Sequence, residues 1–222
     1  MTWGVGGVFN RLARLRGGKP IHTTGRVYEA RLLRRGGGRW GVPWLDEPGE
    51  DAGVVRLSRG AGLPGALPDV LGLAFGFGTP GGARHDLLLS AGGTGRVTRH
   101  LLAVRRDPFR GGYTTVFPYR AGRRRVTITA RPRPVRRGGP LFLLSAAGPG
   151  RAAREFGLLV LGAPGPDEPI AFDPVLHPLP GLVLPGPIAA LRADAYRGAR
   201  AGRATTGRAG SLRRPVMAGD GA

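Results

Sequence analysis

Residues 54–90, VVRLSRGAGLPGALPDVLGLAFGFGTPGGARHDLLLS, constrain the fold more than any other stretch of the chain. They hold three short apolar runs, at 54–57, 70–77 and 87–89. Gly- and Pro-rich turns separate the runs at the short, regular spacing of consecutive β-strands. Upstream, residues 21–33 are rich in strand-type residues around His22, Val27 and Tyr28. Downstream, 113–119 and 126–130 read as a hairpin through 120–125, and 141–146 with 156–161 as another across 148–150. The run at 97–104 fits either a strand or a helix. That makes about eight or nine strands with no helix recurring between them, which favours an antiparallel barrel over a parallel α/β sheet.

Two short helices are expected at the margins. Residues 9–16 (FNRLARLR) place Phe9, Leu12 and Ala13 on one face, and 188–200 place Ile188, Leu191, Ala195 and Ala199 on one stripe. The fold class expected is therefore mainly β (α+β), an antiparallel β-barrel of about eight strands with short helices near both termini. Residues 1–18 form the lead-in, 19–203 the barrel domain, and the Gly/Arg-rich residues 204–222 a disordered tail. Residues 46–51 read as an acidic loop, and the proline-rich 164–187 as an extended surface wrap.

At 222 residues the chain is long enough to bury one sizeable core. No apolar run approaches the ~18 residues of a membrane span. The N-terminus lacks the charged region and cleavage site of a secretory signal. Cysteine is absent, which suits a cytoplasmic location. The formal net charge of +20 admits a polyanion partner such as nucleic acid. Lys19 is nevertheless the single lysine among 34 basic residues, beside 41 glycines and 21 prolines. With aromatics at only 7%, composition favours codon bias over nucleic-acid binding.

Polar residues punctuate the strands in a fixed order. His22 and Gly25 give H-x-x-G; Arg56 and Ser58 give V-R-x-S; Asp69 opens D-x-x-G-L-A-F; and Asp86 opens D-L-L. In this order the motifs resemble the core of the catalase superfamily, over roughly residues 19–89, with a weaker echo near Tyr196. The resemblance implies a haem-binding barrel carrying haem b. It makes His22, three positions after Lys19 and three before Gly25, the distal base that moves a proton between the oxygens of peroxide. An imidazole suits that task because its pKa lies near neutrality. The resemblance also places Lys19 and Ile21 among the cofactor-binding residues.

The same resemblance gives Arg56 a haem propionate and Ser58 a hydrogen bond to the distal imidazole. Two apart on a strand, they share a face. The alternative for Arg56 is a plain ion pair with Asp69 or Asp86. Tyr196 becomes the proximal ligand, since tyrosinate ligation is the catalase choice. A phenolate on iron needs a neighbouring cation; Arg192 lies four residues earlier on the same helical face, and Arg203 matches a further family arginine.

The chain departs from the family in two places. Ser90, Ala91 and Gly92 stand where the distal Asn is expected, and Asp194 where an aromatic is expected. These departures imply peroxidase-type oxidation of a small organic reductant by peroxide rather than efficient dismutation. A haem-free barrel holding an apolar ligand, a polyanion-binding protein and a homo-oligomer are further expectations. His85, His100 and His177 lack metal-ligand spacing.

Overall fold

The computed structural model describes residues 24–60, 67–79, 81–134, 139–166 and 170–186. Nine antiparallel strands occupy them: β1 Thr24–Arg34, β2 Gly49–Arg59, β3 Leu71–Gly78, β4 Arg84–Gly92, β5 Gly112–Thr114, β6 Tyr119–Ala121, β7 Arg124–Arg133, β8 Leu141–Ala147 and β9 Arg154–Pro164. Their order is β5-β4-β3-β2-β1-β9-β8-β7-β6, and β5 also pairs with β7. That second pairing, Tyr113 to Ala130 and Thr114 to Thr129, closes eight strands into a barrel and leaves β6 as an extra strand on β7. The fold is mainly β, as the strand count requires.

Alternation along each strand fills the barrel. Val55 and Leu57 of β2, and Leu71, Leu73, Phe75 and Phe77 of β3, point inward and are almost wholly buried. An eight-stranded barrel has an interior just wide enough for side chains to fill. Here Phe75 packs on Phe77 at 5.0 Å between ring centroids, and Tyr113 meets Phe142 edge-on at 5.8 Å. The single short α-helix described, α1 (Pro43–Asp46) between β1 and β2, closes one end. Its Trp44 stacks on Phe77 at 5.6 Å and meets Phe156 at 5.5 Å. Phe109 packs against Phe142 at 6.0 Å.

Two carboxylates organise the β1–β2 connection. Asp46 accepts the backbone N–H groups of Trp40, Gly41 and Val42. Asp51, buried, accepts Arg34 Nε at 2.8 Å and the Trp44 indole N–H at 2.9 Å, which pins α1 to the barrel wall. Residues 49–51, read from sequence as part of an acidic loop, belong to β2 because their backbone completes the ladder with Leu32, Leu33 and Arg34.

Residues 97–104 are neither strand nor α-helix. They make one 3-10 turn, Thr98–His100, and an isolated bridge between Leu102 and Gly92. The expected hairpin of 113–119 with 126–130 is split: Tyr113 and Thr114 belong to β5, and a tight turn at Gly122 and Arg123 joins β6 to β7. The segment 170–186 crosses the barrel wall without a strand of its own. It buries Leu179 and Leu182 and makes one bridge, Val183 to Arg120. The helices expected at 9–16 and 188–200, and the tail 204–222, lie outside the described residues. Among the described residues, no helix is long and apolar enough to cross a membrane.

Candidate functional site

With Val55 and Leu57 committed to the core, Arg56 and Ser58 project from the outer wall of β2, each half-buried. Their neighbours across the ladders are small. Ser58 is opposite Gly25 on β1 and Gly72 on β3; Arg56 is opposite Val27 and Ala74. The outward positions of β3 are thus Gly72, Ala74 and Gly76, none with a side chain larger than a methyl group. With strands ~4.8 Å apart and residues rising ~3.4 Å, they form a shallow shelf ~10 Å across and ~14 Å long. Phe172 closes its Gly76 end, since a Cβ added at Gly76 would stand 3.0 Å from that ring.

Along one row of the outer wall the register runs Gly25, Ser58, Gly72, Ser90, Thr114, Thr129, Ser145. Ser58 and Ser90 therefore flank Gly72 with a hydroxyl on each side. The shelf brings one guanidinium and two hydroxyls beside a strand of small residues, of which Gly72 and Gly76 are buried and Ala74 is half-buried. Arg56 and Ser58 each have a partner already.

Of the residues picked out from sequence, Arg56 and Ser58 are brought together here. Lys19, Ile21, His22, Arg192, Tyr196 and Arg203 lie outside the described residues. Asp69 and Asp86 have architectural partners instead. Asp69 lies 3.9 Å from Arg59 Nε and accepts the backbone N–H of Val70. Asp86 pairs with Arg84 at 3.0 Å and accepts the Asp173 N–H at 2.7 Å, stapling segment 170–186 to β4. The alternation Gly72, Ala74, Gly76 is a site feature that the apolar-run reading passes over, although L-G-L-A-F-G-F carries it openly.

Arg99 is a second unusual polar group. It is wholly buried, and its Nη2 donates to the carbonyls of Gly148 at 3.0 Å and Arg151 at 2.8 Å. Its Nε and Nη1 find no partner among the described residues. Burial, then the nearby charge of Arg96, lowers its pKa from the usual guanidinium value. Its carbonyl accepts the Thr114 hydroxyl at 2.6 Å, so Arg99 ties the 3-10 turn to both β5 and the β8–β9 loop.

No protein-family model matches the chain, and no curated protein matches it. The shelf and its residues therefore carry the functional argument.

Proposed function

We propose that the chain binds haem b over the outer shelf of β1–β3 and catalyses peroxide-dependent oxidation of a small organic reductant. The observation that carries this reading is the placement of Arg56 and Ser58 side by side on a wall whose neighbouring strand presents only Gly72, Ala74 and Gly76. A planar macrocycle with carboxylate arms asks for such a pairing: a low apolar floor, a cation at its margin and a hydroxyl beside it. Gly25 adds to the fit, because its missing Cβ leaves the space in which the Arg56 guanidinium rests.

Haem, when bound, supplies the two-electron redox chemistry of the reaction. Arg56 would hold a propionate as a charge-assisted pair. The Ser58 hydroxyl would orient the His22 imidazole, fixing which ring nitrogen is free to take a proton. His22 would remove a proton from one peroxide oxygen and return it to the other. Tyr196 would be the residue that holds the iron, with Arg192 and Arg203 offsetting the charge of its phenolate. In the overall balance a reductant AH2 and hydrogen peroxide become A and two water molecules. Ser90, Ala91 and Gly92, in place of an amide side chain, favour this peroxidase-type outcome over dismutation.

An apolar ligand inside the barrel is disfavoured, because Leu32, Val55, Phe75, Leu87, Ile128, Phe142 and Leu144 fill the interior without measurable exposure. The test is a haem titration of the purified full chain followed by its absorption spectrum. Near-stoichiometric binding with a Soret band is expected. A protein that stays colourless in excess haem overturns the reading.

A further inference from the structure

The far end of the β1 and β7 strands carries a site of different character, which involves no residue of the shelf. The β1–β2 connection and the β6–β7 turn enclose an open cleft of about 420 Å³ whose lining includes Arg39, Trp40, Arg123 and Arg124. No acidic side chain lines it. Asp46, the carboxylate nearest in sequence, is spent on the backbone N–H groups of Trp40, Gly41 and Val42 and leaves Arg39 uncompensated. Arg39, Arg123 and Arg124 are exposed, and their side chains make no hydrogen bond or ion pair with any described residue. Elsewhere on the barrel Arg31, Arg34, Arg84 and Arg133 each have a carboxylate within reach.

Trp40 is held as a platform in this cleft. Its ring packs on the backbone of Gly38, where a Cβ would fall 2.7 Å from the indole nitrogen, and its tip lies beside Gly148. It is only half-buried, so part of its surface remains open to the cleft. Arg125 follows directly in sequence and Arg151 lies on the adjoining loop; both are exposed, so positive charge continues beyond the cleft.

A second cleft, of about 460 Å³ and lined by Pro68, Val104, Arg105, Arg106, Asp107 and Arg110, shows what arginine abundance alone produces. It contains no aromatic ring, and Asp107 stands 3.4 Å from Arg110. The Trp40 cleft differs by having a ring and no counter-charge.

We infer that the Trp40 cleft binds single-stranded nucleic acid, with one base stacked on Trp40 and flanking phosphates held by Arg39, Arg123 and Arg124. An aromatic face within a basic groove is the arrangement that binds single strands without sequence readout. The open cleft has room for a base against Trp40, and the arginines beyond it suit a strand better than a lone nucleotide.

The experiment is fluorescence anisotropy of a labelled ~12-nucleotide single-stranded DNA titrated with the full chain over a salt series. Three variants are compared, each checked for native circular dichroism: Arg123→Ser with Arg124→Ser, Trp40→Leu, and the control Arg106→Ser with Arg110→Ser. Each phosphate contact contributes about −0.7 to the slope of log K against log[salt] for single strands. The Arg123/Arg124 variant should therefore flatten the slope by ~1.4, with the control keeping the wild-type slope. Trp40→Leu should weaken binding about tenfold with an unchanged slope. Absence of binding by the wild type, equal losses in the two arginine variants, or wild-type affinity in a folded Trp40→Leu protein would each overturn the inference. If Trp40→Leu fails to fold, the comparison of the two arginine variants decides alone, because all four positions lie on the surface or in turns.

Discussion

The Arg56 guanidinium rests on the backbone of Gly25. A Cβ built at Gly25 would stand 2.9 Å from Arg56 Cζ and 2.7 Å from the Leu57 carbonyl oxygen. Gly25→Ala therefore forces both the arginine and the β1–β2 ladder to shift. Overpacking of this kind costs ~1–3 kcal/mol, measurable by chemical denaturation. In a double-mutant cycle, Arg56→Ala should relieve part of that cost and leave the part owed to Leu57. Additive effects of the two substitutions would mean that the side-chain contact is not the source.

This relationship marks where sequence reading ends. Strand positions were legible as short apolar runs between Gly- and Pro-rich turns, and Arg56 and Ser58, two apart, already share a face. That the strands form a barrel was legible from their number and spacing; which pair of strands closes it was not. Closure depends on β5, three residues long, pairing with both β4 and β7, and no local pattern encodes a partner that far along the chain. At the site, Arg56 and Ser58 carry a readable motif. The shelf beneath them is made of absent side chains, on Gly25, Gly72 and Gly76, and glycine in a strand reads equally as a bulge or a weak point. Asp86 illustrates the converse. It reads as a motif residue and as an alternative partner for Arg56, while its buried carboxylate is occupied by Arg84 and the Asp173 backbone.

Asp51 anchors α1. It is 4% exposed and satisfies both Arg34 and the Trp44 indole. Removing one partner of a buried pair leaves the other charge uncompensated, so Asp51→Ala should cost ~3–5 kcal/mol. Asp51→Asn keeps one acceptor and should cost less. Urea midpoints of the two variants give the comparison, and equal midpoints would show that the charge itself contributes nothing.

The Asp86 carboxylate is one of several ties between segment 170–186 and β4, beside the Asp86 N–H to the His177 carbonyl and Arg84 Nη2 to the Ala171 carbonyl. Asp86→Ala should raise amide hydrogen exchange at Asp173 and Val175, because the first loses its acceptor and the second depends on the turn around Asp173. Exchange in β8 should not change. Uniform acceleration across the barrel would instead indicate global destabilisation.

On the haem reading, Arg56 and Ser58 have separable effects. Arg56→Ala should weaken haem affinity by about tenfold or more, the scale of a charge-assisted hydrogen bond of ~1.5–3 kcal/mol. Ser58→Ala should leave affinity close to that of the wild type and shift the pH profile of peroxide consumption, because it acts through the orientation of His22. Titration and steady-state kinetics distinguish the two patterns. A Ser58→Ala protein with an unchanged profile would assign the hydroxyl to the wall alone.

Tyr113 makes stability depend on pH in the alkaline range. Its hydroxyl is buried and donates to the Pro108 carbonyl at 2.8 Å. Burial raises its pKa well above the usual phenol value; Arg105 opposes that shift and Asp107 adds to it. Between the unfolded value of ~10 and the higher folded one, the unfolded chain has released the proton while the folded barrel retains it. The unfolded state then binds fewer protons, so stability falls as pH rises. The contribution is fully present below pH ~10 and is lost towards the folded pKa. Tyr113→Phe gives up one hydrogen bond, about 1 kcal/mol near neutrality, but cannot ionise. Its deficit relative to wild type should therefore shrink as the pH is raised from about 8 to about 11. Urea midpoints for the two proteins that remain parallel across that range would remove Tyr113 as the source of the alkaline dependence.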